Sequence, residues 1–142
     1  MAPAGGFASV RPGTERDARM NYSEITQDYA VAPQVEPDAF AEIAAKGYTT
    51  VICNRPDAEV PPELQAAALR EAAEAAGLSY VEVPVENGGL TLEIVEAHGA
   101  AVEGAPGPVL AYCRSGTRSA IVWALSQAGK RPTDEILEAL AK

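Results

Sequence analysis

The stretch Pro108-Val109-Leu110-Ala111-Tyr112-Cys113-Arg114-Ser115-Gly116-Thr117-Arg118-Ser119-Ala120 opens as a short apolar run and turns polar at a cysteine. The run suits a buried strand. From Ala120 to Ala128 the chain is apolar and helix-compatible, so the polar residues form a tight loop between a strand and a helix. Such a junction gathers unpaired backbone N–H groups and the positive end of a helix dipole at one spot, which makes an anion site. A cysteine at its base has its thiolate stabilised by those groups and by the guanidinium groups of Arg114 and Arg118. Cys113 ends the strand instead of sitting inside it, Gly116 lets the backbone curl, and Arg118 can lay its fork across the mouth of the curl. These features point to a nucleophilic sulfur and away from a plain core thiol.

Working outward, Tyr22 to Gln34 reads as two short strands around a turn at Gln27-Asp28. Glu36-Pro37-Asp38 starts a helix with Phe40, Ile43 and Ala44 on its apolar stripe and Gly47 as its stop. Thr49 to Cys53 is a β-branched strand that runs out into the polar loop Asn54-Arg55-Pro56-Asp57. Pro61-Pro62 opens a helix through Ala76, Gly77 closes it, and Leu78 to Pro84 holds a further strand. Glu86-Asn87-Gly88-Gly89 is a loop, and Thr91 caps a helix to about Val102 with Leu92, Val95 and Val102 inward. Thr133 caps a last helix to Lys142, with Ile136, Leu137 and Leu140 inward.

Strands alternating with helices predict a single α/β domain with a mainly parallel central sheet flanked by helices. Ligands of such sheets bind where loops leave the carboxyl ends of the strands. Here those loops follow Cys53, Pro84 and Tyr112; they carry Arg55 and Asp57, Glu86 and Asn87, and the Cys113 turn.

A length of 142 residues with 47% hydrophobic side chains supports one domain with a real core. Residues 1–21 lack periodicity and read as a flexible leader, with Met20 a candidate start, and residues 22–142 as the catalytic domain. No window holds the ~18 uninterrupted apolar residues of a membrane helix, and the leader lacks an apolar signal core. A cytoplasmic location is therefore expected. The net charge of −9 argues against nucleic acid or an anionic membrane as partner, and it makes the arginine pair a local positive focus. Two cysteines and one histidine exclude a disulfide framework and a structural zinc site, and no metal or organic cofactor is implied. Cys53 is expected as a buried strand-end thiol, the competing reading being a resolving partner for an oxidised Cys113. His98 is expected at the surface or its boundary, and Trp123 in the core.

The loop Cys113-Arg114-Ser115-Gly116-Thr117-Arg118-Ser119 resembles the active-site loop of single-domain rhodaneses, sulfurtransferases that carry sulfane sulfur as a cysteine persulfide. It is one residue shorter than the tyrosine-phosphatase signature, whose arginine lies six positions after its cysteine. That position here is Ser119, and Tyr112 stands where the signature has histidine. Tyr29 to Gln34, Val51 to Asp57 and Tyr80 to Pro84 are similar to a bacterial family, the phosphatase-like domain of beta-lactamase hydrolase-like proteins. That family joins a dual-specificity-phosphatase-like fold to a rhodanese-like loop, and the resemblance covers about Tyr22 to Ala128. It implies Cys113 and Arg118 as catalytic residues and Arg114, Ser115, Gly116, Thr117 and Ser119 as the anion-binding loop. Arg55, Asp57, Glu86 and Asn87 are the supporting candidates. Members are described both as phosphatases and as sulfurtransferases, and some are fused to sulfur dioxygenase or flavoprotein sulfide-oxidising modules. A sulfide-oxidising enzyme is thus an expected partner.

Both chemistries start with a thiolate attacking a bound anion, so the nucleophile does not separate them. Phosphatases of this fold place an aspartate three residues beyond the proline that ends the strand, and counting from Pro84 reaches Asn87. Sulfane transfer from thiosulfate or a low-molecular-weight persulfide expels sulfite or a thiolate and needs no acid. The expected function is therefore a sulfurtransferase that carries sulfane sulfur on Cys113 to a thiol or cyanide acceptor in sulfide metabolism. The alternative is a cysteine-dependent protein tyrosine or dual-specificity-like phosphatase with a phosphocysteine intermediate. A third reading is a non-catalytic anion-binding regulatory module.

Overall fold

The computed structural model describes residues 22–141. Five strands form one sheet in the order β1-β2-β5-β3-β4: β1 (Ser23–Thr26), β2 (Tyr29–Ala32), β3 (Thr50–Cys53), β4 (Ser79–Glu82) and β5 (Val109–Tyr112). Only the edge pair β1–β2 is antiparallel, joined by the two-residue turn at Gln27-Asp28; the other pairings are parallel. The α/β domain with a mainly parallel sheet is as the sequence predicts.

Five helices cover the sheet: α1 (Phe40–Ala45), α2 (Ala66–Ala75), α3 (Leu92–Glu103), α4 (Thr117–Gln127) and α5 (Thr133–Leu140). Period-two alternation sorts the strand residues into two cores. Ala30, Ala32, Val51, Cys53, Leu110 and Tyr112 join Phe40, Ile43, Leu69 and Ala73 on the α1/α2 face. Tyr29, Val31, Ile52, Val109 and Ala111 join Trp123, Ile136 and Ala139 on the α3/α4/α5 face. The chain moves one way across the sheet from β2 through β3 to β4, then returns to insert β5 between β2 and β3. Right-handed crossovers put outward and returning helices on opposite faces, and the reversal leaves the carboxyl end of β5 at the switch point where a ligand crevice forms.

Several local expectations are corrected. The first helix begins as a 3-10 turn at Pro37–Ala39. The proline-opened helix is broken: Pro62–Leu64 is a separate 3-10 turn, and α2 starts only after the extended Gln65. Thr91 does cap α3, accepting from the Ile94 amide at 3.2 Å, but Leu92 lies outside, 72% exposed. Thr133 is the first helical residue of α5 and not its cap. Ile136 and Ala139 face the core there, while Leu137 and Leu140 are exposed. The expected leader, residues 1–21, lies outside the described residues.

Candidate active site

Cys113 follows β5 directly, and its backbone N–H donates to Ala32 O at 3.2 Å, so the neighbouring strand holds the start of the loop. The side chain is fully buried. Gly116 ends the turn at φ +92°, a conformation that glycine adopts without steric penalty, and it is the residue before α4. That turn swings the Gly116 amide onto Cys113 Sγ at 3.0 Å. Burial by itself raises the Cys113 pKa. Hydrogen bonds from the backbones of Ser119, Ser115 and Gly116, and from the Ser119 hydroxyl, outweigh it and bring the thiol below its usual value of 9.0. The cradle read from the sequence is therefore built around sulfur.

Arg118 lies on the first turn of α4, and its fork is gripped from outside the loop. Nη1 donates to Glu59 Oε2 at 2.9 Å and to Val85 O at 2.7 Å; Nη2 donates to Glu59 Oε1 at 2.8 Å. A guanidinium has five N–H donors, so Nε and one Nη2 hydrogen remain for the cleft that Arg118 lines. Glu59 first, with Cys113 adding a smaller share, holds the Arg118 pKa above its ordinary value. Glu59 is the site residue that sequence reading missed. It sits in a 3-10 turn of the loop after β3, and one more acid in an acidic loop carries no local signal.

Arg55 stands behind Glu59. Its Nε donates to Glu59 Oε1 at 3.2 Å, Nη2 to Glu59 O at 3.3 Å and Nη1 to Gln34 Oε1 at 3.1 Å. It braces the carboxylate that braces Arg118 and is not among the residues lining the cleft. Hydrogen bonding to Arg118, with a smaller share from Arg55, holds the Glu59 carboxyl below its ordinary value despite partial desolvation. Asp57 Oδ1 accepts the Ala66 amide at 2.8 Å, which caps α2, and Asp57 is not among the residues lining the cleft over the Cys113 loop.

A cleft of about 570 Å³ opens over the loop, lined by Arg114, Ser115, Thr117 and Arg118 on one side and by Val85, Glu86, Asn87, Gly88 and Leu90 on the other. Ile121 completes the wall. Glu86 is the carboxylate on this lining, and Asn87 lies beside it as counted from the sequence. Cys53 is on the other face of the sheet: it is in register with Tyr112, and its thiol donates to Arg55 O at 3.3 Å. Alternation turns Cys113, the next residue after Tyr112, to the opposite side, so the two thiols do not face each other.

His98, expected near the surface, is fully buried. Its Nε2 lies 2.8 Å from Tyr29 Oη and its Nδ1 3.2 Å from Asn54 Nδ2. Burial pushes its pKa down to about 4, so the ring is neutral at physiological pH. A position on the apolar, glycine-containing face of α3 was the available signal. Its partners come from β2 and the loop after β3.

A family model described as the phosphatase-like domain of beta-lactamase hydrolase-like protein matches residues 21–130. The beta-lactamase hydrolase-like protein of Xylella fastidiosa is 37% identical over 119 residues, covering 82% of this chain and 28% of that protein. The chain thus spans less than a third of the curated relatives it matches. Among solved structures, a candidate phosphatase of Neisseria meningitidis superimposes with a TM-score of 0.73 at 31% identity, covering 84% of this chain and 85% of that one. Kinase-associated phosphatase, solved with serine in place of its catalytic-site cysteine, superimposes with a TM-score of 0.62 at 13% identity over 85% of this chain and 80% of its own, a likeness of fold alone. The fold is that of the tyrosine and dual-specificity phosphatases, and the chain belongs to the family of the phosphatase-like domain of beta-lactamase hydrolase-like proteins.

Proposed function

We propose that the domain is a cysteine-dependent enzyme that hydrolyses phosphate monoesters through a phosphocysteine on Cys113. The observation that carries this reading is the thiolate cradle: a fully buried sulfur receives amide N–H groups at a helix start, under an arginine fork locked by Glu59. The phosphatase-like family and fold support phosphorus over sulfur as the electrophile. In the first step the Cys113 thiolate forms an S–P bond, the P–O bond to the alcohol breaks, and the departing oxygen takes a proton from Glu86 on the cleft wall. Water then gives a proton to the Glu86 carboxylate and attacks phosphorus, the S–P bond breaks, phosphate leaves, and the Cys113 thiolate and the Glu86 acid are both restored. Backbone amides and the two free Arg118 hydrogens hold the equatorial oxygens throughout.

Sulfane transfer is the second reading, favoured by two observations. The ring from Cys113 to Arg118 is one residue short of the phosphatase signature, and the amide Asn87 stands in the place of the usual acid. In that chemistry the thiolate attacks the outer sulfur of thiosulfate, the S–S bond breaks, sulfite departs with the electron pair, and a thiol acceptor later takes the sulfur. A persulfide needs no proton donor, and a single sulfur suits the smaller ring.

One paired assay decides. Under the phosphatase reading, aryl phosphate hydrolysis is lost in Cys113→Ser and falls by ~10²–10⁴-fold in Glu86→Gln. Intact mass after incubation with thiosulfate then shows no added sulfur. An adduct of one sulfur on the wild type, absent in Cys113→Ser and unaffected by Glu86→Gln, overturns phosphate chemistry in favour of sulfane transfer.

A further inference from the structure

Behind the Cys113 loop lies a chain of buried polar groups contributed by four separate segments: Tyr29 of β2, Asn54 after β3, His98 of α3 and Ser119 of α4. All four are at most 1% exposed, and none lines the cleft. Their protons have one consistent arrangement. Tyr29 Oη donates to Ser119 O at 2.9 Å, so the 2.8 Å contact with His98 is donated by the ring, which carries its proton on Nε2. Nδ1 is then a lone pair and accepts from Asn54 Nδ2 at 3.2 Å; the second Asn54 amide hydrogen goes to Val83 O at 2.8 Å. Asn54 therefore turns Oδ1 to Ser119, whose hydroxyl donates to it at 2.7 Å. Turning the Asn54 amide over would set its oxygen against both Val83 O and the His98 lone pair.

The far end of this chain is Ser119 on the first turn of α4, whose backbone N–H and hydroxyl both help to hold the Cys113 thiol below its usual pKa. Its carbonyl is pinned by Tyr29, and its hydroxyl donates to Asn54 Oδ1 at 2.7 Å while also counting among the groups that lower the Cys113 pKa. We propose that His98 is a positioning residue for the nucleophile: as the neutral Nε2–H tautomer it fixes Tyr29 and Asn54, which hold Ser119 so that its amide stays on the sulfur and its hydroxyl passes between Asn54 and the thiolate as charge appears on Cys113. The hydroxyl rests on Asn54 while the sulfur is neutral or covalently occupied, and turns to Sγ when the thiolate forms. No bond other than hydrogen bonds changes. The role rests only on Cys113 acting as a thiolate, which phosphate and sulfane chemistry share, so it is read without turnover of either kind. The charged and titratable groups facing Cys113 are Arg118 from α4 and Tyr29 from β2, and both are present in every variant below except where Tyr29 is itself changed.

The test is the pH dependence of Cys113 alkylation by iodoacetamide, read by mass spectrometry on the full chain. Tyr29→Phe keeps the ring stacked on Trp123 and removes only the hydroxyl. His98→Phe removes both ring nitrogens. Each is expected to move the alkylation midpoint upward by roughly one pH unit. His98→Gln offers one donor and one acceptor in the same chain and is expected to restore most of the shift. Ile136→Val, which trims the same core away from the chain, is expected to leave the midpoint in place. Wild-type midpoints in folded Tyr29→Phe and His98→Phe reduce the chain to core packing and overturn the proposal. Nitrogen NMR of wild-type His98 tests it independently of folding in the variants. A ring protonated on Nε2 that does not titrate through neutral pH supports the proposal, and the other tautomer or a titrating ring overturns it.

Discussion

Glu59 receives both terminal nitrogens of Arg118, at 2.9 and 2.8 Å, and the Nε of Arg55 at 3.2 Å from the other side. The pair fixes which edge of the guanidinium faces the cleft. It spans a loop after β3 and the first turn of α4, segments 59 residues apart, so the arginine is held in place only when the sheet is assembled.

Glu59→Gln keeps the shape but turns one acceptor into a donor, so the fork loses its two-point hold. Turnover with an oxyanion substrate is expected to fall on the order of 10²-fold from misplacement of the fork alone, with the protein still folded. Steady-state kinetics beside a circular dichroism spectrum measures this; unchanged kcat/KM sinks the bracing role.

The same carboxylate makes a pH prediction. Its folded pKa lies below the ordinary value of 4.5, first through hydrogen bonding to Arg118. The native state therefore binds the proton less readily than the unfolded chain. The stabilisation is present above 4.5 and fades as pH falls through the lower folded value. Wild type and Glu59→Gln should thus converge in melting temperature on acidification below 4.5, and a constant gap there contradicts the assignment.

Cys113 should be alkylated by iodoacetamide with a pH midpoint below 9.0, because backbone and Ser119 hydrogen bonds outweigh burial. A depressed thiol pKa also means that the thiolate stabilises the fold above its unfolded pKa and that this share is lost as pH falls through the folded one. Peptide mapping should find the label on Cys113, whose thiol pKa is lowered, and not on Cys53, whose thiol donates to Arg55 O on the other face of the sheet. Labelling of Cys53 first, or a midpoint at or above 9.0, is the contrary outcome.

Asp57→Ala should cost about 1 kcal/mol of stability, as loss of a helix cap does, while activity on any substrate is retained. Chemical denaturation and steady-state kinetics separate the two. A loss of turnover beyond what unfolding explains would give Asp57 a part in the chemistry and not only in the cap.

The strand–loop–helix from Val109 to Gln127 was legible because three local signals agree: an apolar run, a glycine where φ turns positive, and a helix-compatible continuation. The five strands followed from short β-branched and apolar runs, and the parallel class from their alternation with helices. Thr133 and Leu92 were misread for a common reason: at a helix end, one residue of offset turns a side chain through about 100°, and only packing shows which end is buried.

Cys113, Gly116 and Arg118 were nameable in advance because they are neighbours in the chain, and backbone geometry alone brings them together. Glu59 and Tyr29 were not, because each acts through a partner dozens of residues away and has no spacing that betrays it; for His98 the apolar face of α3 signals burial but not the partners on β2 and after β3. Asp57 and Glu59 lie in one short acidic loop; whether each caps a helix or grips an arginine depends on where α2 and α4 pack. Sequence by itself thus determined the strand-end thiol and the turn that folds an amide onto it, since those are properties of consecutive peptide units. Tertiary structure decided which charges and protons stand against them, since hydrogen bonds between distant segments exist only after the two faces of the sheet are covered.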